Sequence, residues 1–221
     1  MKMKNFFLSL MLLLLVPVVY GQRKAHFGLR AGLTFADLII DGRGFDTGNR
    51  FSSNTRTDYS TDVLVTGHID GFVEIALPHK FYLEPGISFT VLGTEYNYVK
   101  IYNKRHSSVN RDYSYEGDKV LISQLNFPIW LKYNVIAGLR PKIGTYIGYI
   151  ATIKEKRDGY TYTMKDKYRN SDIDFGVGAG VEYHLPFGLF FDVNCNVGII
   201  NLSTRGEVNN IFLQTGVGYK F

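Results

Sequence analysis

The chain has 221 residues, a formal net charge of +5, and abundant Tyr (16), Phe (16) and Gly (23). That length suits one domain. A mean hydropathy near zero argues against a bundle of membrane-spanning helices, and the single cysteine, Cys195, excludes an intrachain disulfide. A membrane β-barrel stays open, because only its alternate residues face lipid and the average is diluted.

Lys2 and Lys4 precede an apolar run from Phe6 to Val16, and Pro17 to Gly21 ends it with small residues. This is the form of a secretory signal, too short for a membrane-spanning helix. Cleavage is expected after Gly21, so residues 1–21 are read as signal peptide and 22–221 as one β-barrel domain.

The first strand alternates Phe27, Leu29, Ala31, Leu33 and Phe35 with Gly28, Arg30, Gly32, Thr34 and Ala36. A long polar segment, 39–62, follows. The second strand runs Val63 to Leu77, with His68, Asp70, Phe72 and Glu74 opposite the apolar face, and Pro78-His79-Lys80 turns the chain. The third starts at Phe81. Leu83, Pro85, Ile87, Phe89 and Val91 oppose Tyr82, Glu84, Gly86, Ser88 and Thr90, and Pro85 predicts a bulge. A second long connection reaches Asp118.

The fourth strand, Val120 to Val135, puts Leu125, Phe127, Ile129, Leu131 and Tyr133 outside. Gln124, Asn126, Trp130 and Lys132 lie inside. After a turn at Ala137–Pro141, the fifth has Ile143, Ile147, Tyr149 and Ile153 outside and Lys142, Gly144, Tyr146, Gly148 and Thr152 inside. Asp158-Gly159 signals a hairpin turn, with Tyr160 to Thr163 returning.

From Asp172 to Ile199 the alternation is cleanest. Ile173, Phe175, Val177, Ala179, Val181 and Tyr183 face one way, while Asp174, Gly176, Gly178, Gly180 and Glu182 face the other. Pro186-Phe187-Gly188 turns, and Leu189 to Ile199 repeats the alternation around Phe190, Asp192, Asn194 and Asn196. Side chains alternate along a strand with period 2, and these arms exceed the usual strand of about 5–6 residues. A tilted membrane strand needs roughly 9–11. The last strand ends Gly216-Val217-Gly218-Tyr219-Lys220-Phe221.

These elements predict an all-β fold: an eight-stranded antiparallel transmembrane β-barrel, apolar outside and polar inside. Short turns at one end and long connections at the other are the asymmetry of outer-membrane barrels, which puts both termini on the periplasmic side. Eight strands leave an interior just wide enough for side chains.

Phe81 to Ser88, Leu125 to Tyr133, Gly176 to Tyr183 and the ending Gly216 to Phe221 together resemble the small outer-membrane β-barrel family of Bacteroidota, which includes PorT. The resemblance spans the predicted mature chain. It implies residence in the outer membrane and an accessory role near protein secretion. The terminal Phe221 looks like the signal read by the barrel-assembly machinery.

The inward faces carry Arg30, Lys132 and Lys220 against Asp70, Glu74, Glu84, Asp174, Glu182 and Asp192. Isolated charges there are costly, so a lumen-filling polar network is expected, joined by His68 and His184. A proton or solute path, or acid–base catalysis, is the competing reading. Gly176, Gly178 and Gly180 do not match GxGxxG and instead make room for bulky neighbours. The five histidines show no paired metal-ligand spacing, no Ser/His/Asp set is recognisable, and no cofactor is expected.

The connections are basic and Tyr-rich. Tyr102, Arg105, Tyr113, Arg157, Tyr160, Tyr162, Lys167 and Arg169 are candidates for contact with lipopolysaccharide phosphates or an envelope or secretion-system protein. Export makes nucleic acid a poor partner. Three functions compete with this non-enzymatic contact role. They are a narrow channel, a soluble lipocalin-like binder with inverted faces, and a barrel enzyme, which no motif supports.

Overall fold

The computed structural model describes residues 25–40, 55–103, 109–157, 159–163, 171–203 and 207–221. The predicted signal segment lies outside them. Ten strands form: β1 (Ala25–Ile40), β2 (Thr55–Asp62), β3 (Leu64–Ala76), β4 (Phe81–Asn103), β5 (Val109–Tyr133), β6 (Leu139–Arg157), β7 (Tyr160–Thr163), β8 (Ile173–His184), β9 (Leu189–Gly198) and β10 (Val208–Lys220).

Eight of them close a barrel. The antiparallel circuit runs β1, β3, β4, β5, β6, β8, β9, β10, and β10 returns to β1 from Gly28↔Lys220 to Ile40↔Val208. Closure leaves no free edge in the wall, so its backbone groups pair strand to strand. Phe221 completes the seam, its N–H donating to the Phe27 carbonyl at 2.8 Å.

The predicted faces are found. Phe27, Leu29, Leu33, Ile69, Ile129, Ile143, Val177 and Val217 are exposed on the outer wall, while Arg30, Asp70, Glu84, Lys132 and Glu182 are buried inside. At the short-turn end the outer wall carries an aromatic girdle of Phe27, Phe81, Tyr133, Tyr183, Phe191 and Tyr219. Its rings touch: Phe81 lies 4.9 Å from Tyr133, and Tyr219 lies 5.1 Å from Phe221. An apolar outer surface of this extent around a charged interior is stable only with lipid outside.

Four expectations change. The segment 39–62 is not all loop: Thr55–Asp62 pairs with the far end of β4. The connection to Asp118 is mostly strand as well, because β4 and β5 continue paired as far as Tyr102↔Val109. Polar side chains hid these extensions, which lack the greasy face that marks a lipid-facing strand. Pro85 makes no bulge. Register is unchanged on both sides of it, and the ladder to β3 merely skips between Phe72↔Gly86 and Ile75↔Leu83. The missing proline N–H interrupts the ladder locally without shifting the register. One bulge that matters for the faces lies at Ala151, between Ser123↔Thr152 and Gln124↔Ile150. One extra residue reverses the alternation beyond it. Ile153 therefore packs inward and Thr152 pairs with outward Ser123, the opposite of the period-2 reading.

The interior is tiered. Charges fill the turn end. Neutral polar groups, including Gln124, Asn126, Asn194, Asn196, Thr34 and Thr90, fill the middle. The loop end is apolar: Leu38, Leu92, Val120, Ile122, Ile150, Val208 and Phe212 form one cluster. Outside that last tier stand Glu95 and Lys119, paired at 2.9 Å. That pair marks where the outer face turns from apolar to polar.

Candidate functional site in the barrel interior

Each of the eight barrel strands delivers at least one charged side chain to the turn end of the lumen. The inward positions are Arg30 on β1, Asp70 and Glu74 on β3, Glu84 on β4, Lys132 on β5 and Arg140 and Lys142 on β6. Glu182 lies on β8, Asp192 on β9 and Lys220 on β10. Five cations meet five carboxylates.

Lys132 is the hub. It is fully buried. Its ammonium donates to Glu182 at 2.5 Å, to Glu74 at 3.5 Å, and most closely to Glu84. Arg30 spreads over four acids. Its Nε donates to Asp70 at 2.7 Å, its Nη1 reaches Glu182 and Asp192 at 3.0 Å each, and its Nη2 reaches Glu84 at 3.5 Å. Lys142 bridges Asp192 (2.6 Å) and Glu182 (3.0 Å). Glu74 also takes Arg140 at 2.9 Å and Lys220 at 2.7 Å. In such surroundings a charge is tolerated only when paired and hydrogen-bonded, and each of these ten is.

Rings wall the network in. Phe72 and Phe190 meet edge to face at 5.7 Å, and Lys132 lies over both. Arg140 lies 4.2 Å from the Tyr82 centroid, and Lys142 lies 4.5 Å from that of Trp130. The glycine row makes this possible. A Cβ on Gly176 would meet the Tyr146 ring at 2.3 Å, and one on Gly178 would meet the Trp130 ring at 2.8 Å. These glycines make room for rings from β6 and β5, as the sequence suggests.

Nine lumen residues were expected to form one network: Arg30, Asp70, Glu74, Glu84, Lys132, Asp174, Glu182, Asp192 and Lys220. Eight are in it. Asp174 is not. It lies in the middle tier, where Tyr146 (3.0 Å), Asn210 (2.9 Å) and Gln124 (3.2 Å) all donate to its Oδ2. Sequence order gives no height inside the barrel, which is why Asp174 was grouped with the rest. His184 bonds Glu182 of the network at 2.8 Å, while His68 meets Thr34 of the middle tier at 3.1 Å. Arg140 and Lys142 were missed as network members. The sequence reads Ala137–Pro141 as a turn, although counting back by two from inward Lys142 reaches Arg140.

Glu74, Glu182 and His184 bring ligand atoms within 4.8 Å of one another, in reach of a common ion. The Lys132 ammonium already contacts both of these glutamates. The place a metal would take is held by a protein cation. What the arrangement does chemically is cross-link all eight strands and fill the lumen with side chains.

Among the contact candidates, Arg157, Tyr160 and Tyr162 are exposed on the β6–β7 hairpin. The turn is the predicted one, with Gly159 at φ +80°. Arg157 reaches Glu155 at 2.7 Å and Asp118 at 3.6 Å. Tyr102 and Tyr113 lie in the paired extensions of β4 and β5. Arg105, Lys167 and Arg169 lie outside the described residues.

No curated protein matches the sequence. Among solved structures, the chain is similar to Neisserial surface protein A (NspA) at 12% identity and a TM-score of 0.54, covering 90% of this chain and 99% of that one. It is also similar to Ail, the attachment invasion locus protein of Yersinia pestis. Identity there is 11% and the TM-score 0.46, over 90% of this chain and 99% of that one. Similarity to OprG from Pseudomonas aeruginosa stands at 15% identity and 0.44, over 91% and 98%. The NspA likeness supports the eight-stranded fold. The Outer membrane protein beta-barrel domain matches residues 6–221. The chain, a closed barrel with a lipid-facing wall, belongs to that outer membrane β-barrel family.

Proposed function

We propose that this protein is a non-conducting, non-enzymatic outer-membrane barrel whose projecting end makes contact with an envelope partner or a surface glycan. Its support is the length of β2, β4 and β5 beyond the apolar outer band. The apolar cluster around Leu92, Ile122 and Ile150 fills the lumen at the top of that band. On it stand the paired extensions of β2, β4 and β5 and the Tyr-bearing β6–β7 hairpin. A barrel built only to anchor has no use for strands that outrun the membrane. The ion network fills the other end, which argues against the narrow-channel reading. In this reading both termini and the short turns face the periplasm and Phe221 serves assembly. An accessory role in secretion like that of PorT is a narrower form of the same proposal.

The test is made on intact cells. Protease or membrane-impermeant label is directed at the β6–β7 hairpin, with photo-crosslinkers at Tyr160 and Tyr162. The expected result is surface cleavage and a discrete crosslinked species lost on deleting residues 158–163. A hairpin protected on intact cells but accessible after permeabilisation would overturn the orientation. Stepwise ion conductance by the wild type in planar bilayers would overturn the plugged lumen.

A further inference from the structure

The Ala151 bulge has a consequence on the outer wall. Continued without it, the alternation of β6 would turn Lys154 and Lys156 inward. With it, Lys154 stands opposite Leu121 and Lys156 opposite Lys119 on β5, on the outward face. Both lysines are exposed. Like charges directly opposite on neighbouring strands are destabilising. Glu95 takes Lys119 at 2.9 Å. Among the described residues, no acid pairs with Lys154 or Lys156.

Their height is informative. The outward face of β5 reads Tyr133, Leu131, Ile129, Phe127 and Leu125, then Ser123, Leu121 and Lys119. Tyr133 to Leu121 spans roughly 40 Å of strand at about 3.3 Å per residue. A tilt of about 40° reduces that to about 30 Å of height, just past an apolar band about 25 Å tall. Lys154 and Lys156 therefore meet the layer where headgroup phosphates begin.

We propose that Lys154 and Lys156, with Lys119 beside them, form an outward-facing site for a phosphate group of an outer-leaflet glycolipid. The charge is complementary, two ammonium groups are free to donate to one phosphate, and the depth matches a molecule whose acyl chains lie along Leu125 and Tyr149. The proposal rests on the reading above, in which the projecting end faces the cell surface.

The test compares wild type with Lys119→Gln/Lys154→Gln/Lys156→Gln, refolded in phosphatidylcholine vesicles carrying increasing bisphosphorylated lipid A. The readout is the temperature at which the unboiled gel mobility is lost. The glycolipid should raise it for wild type. The triple variant should need on the order of a hundredfold more lipid, at about fivefold per lysine. The matching triple arginine variant should respond like wild type. Equal response of wild type and the glutamine variant overturns the site, as does an equal effect of dephosphorylated lipid A. A shift by inorganic phosphate in plain phosphatidylcholine would also overturn it, showing a free-anion site instead. If the triple variant does not refold, Lys154→Gln and Lys156→Gln alone decide the matter by the same comparison. Vesicles hold the lipid in both leaflets, so the result is independent of orientation in the cell, which the protease experiment tests separately.

Discussion

Replacing Lys132 by methionine keeps an unbranched side chain, one atom shorter, and removes the ammonium group with its hydrogen bonds. The ammonium contacts Glu84, Glu182 and Glu74. After its loss Glu182 still has Arg30 and Lys142, and Glu74 still has Arg140 and Lys220. Glu84 is left with Arg30 alone, at 3.5 Å. The tier then holds one carboxylate too many. Breaking a buried pair from one side costs about 3–5 kcal/mol. At roughly 2–4 °C per kcal/mol for a domain of this size, Lys132→Met should unfold roughly 6–20 °C below wild type. Adding Glu84→Gln restores the balance of charges and should bring the cost below about 2 kcal/mol, since removing both partners is far cheaper than removing one. The assay is heat-dependent gel mobility and urea unfolding in the same vesicles, completed as a double-mutant cycle. A cost under about 1 kcal/mol for Lys132→Met, or additive effects in the double variant, would refute the view that this network holds the barrel together.

Three further outcomes are expected. Gly176→Val should destabilise the barrel by about 1–3 kcal/mol, read from urea midpoints, because its Cβ falls 2.3 Å from the Tyr146 ring. Ile69→Arg should cost up to about 2–4 kcal/mol in a bilayer, depending on its depth, since that side chain is 59% exposed on the lipid face. The same change should cost far less in a detergent that lets the arginine reach water. Phe221→Ala should lower the amount assembled in the outer membrane while leaving refolding yield in vitro near wild type. Equal loss in both settings would assign the Phe221 ring a structural role through its contact with Tyr219.

The lumen was legible to the extent that period-2 alternation held. Glu84, Lys132 and Glu182 were found because unbroken strands put every second residue inside. Arg140 was lost to the reading of Ala137–Pro141 as a turn. Ile153 was assigned to the wrong side because nothing in Tyr149-Ile150-Ala151-Thr152 marks the extra residue. Alanine and threonine fit a strand as well as a bulge. Thr55–Asp62 goes unread because its residues, Thr-Arg-Thr-Asp-Tyr-Ser-Thr-Asp, show no apolar alternation.

The sequence by itself determined the closed architecture. Its alternating arms, short turns and lone cysteine leave a barrel with lipid outside as the consistent solution, since an unpaired backbone cannot cross a membrane. Only the tertiary structure decided which charges meet. Height in the lumen follows from shear and register between strands distant in the chain. Arg30 therefore reaches Glu182, 152 residues away, while Asp174, eight residues from Glu182, joins a different tier. The Ala151 bulge belongs to the same class: one residue of slippage between β5 and β6, set by pairing rather than composition, turns two lysines from the lumen to the outer face.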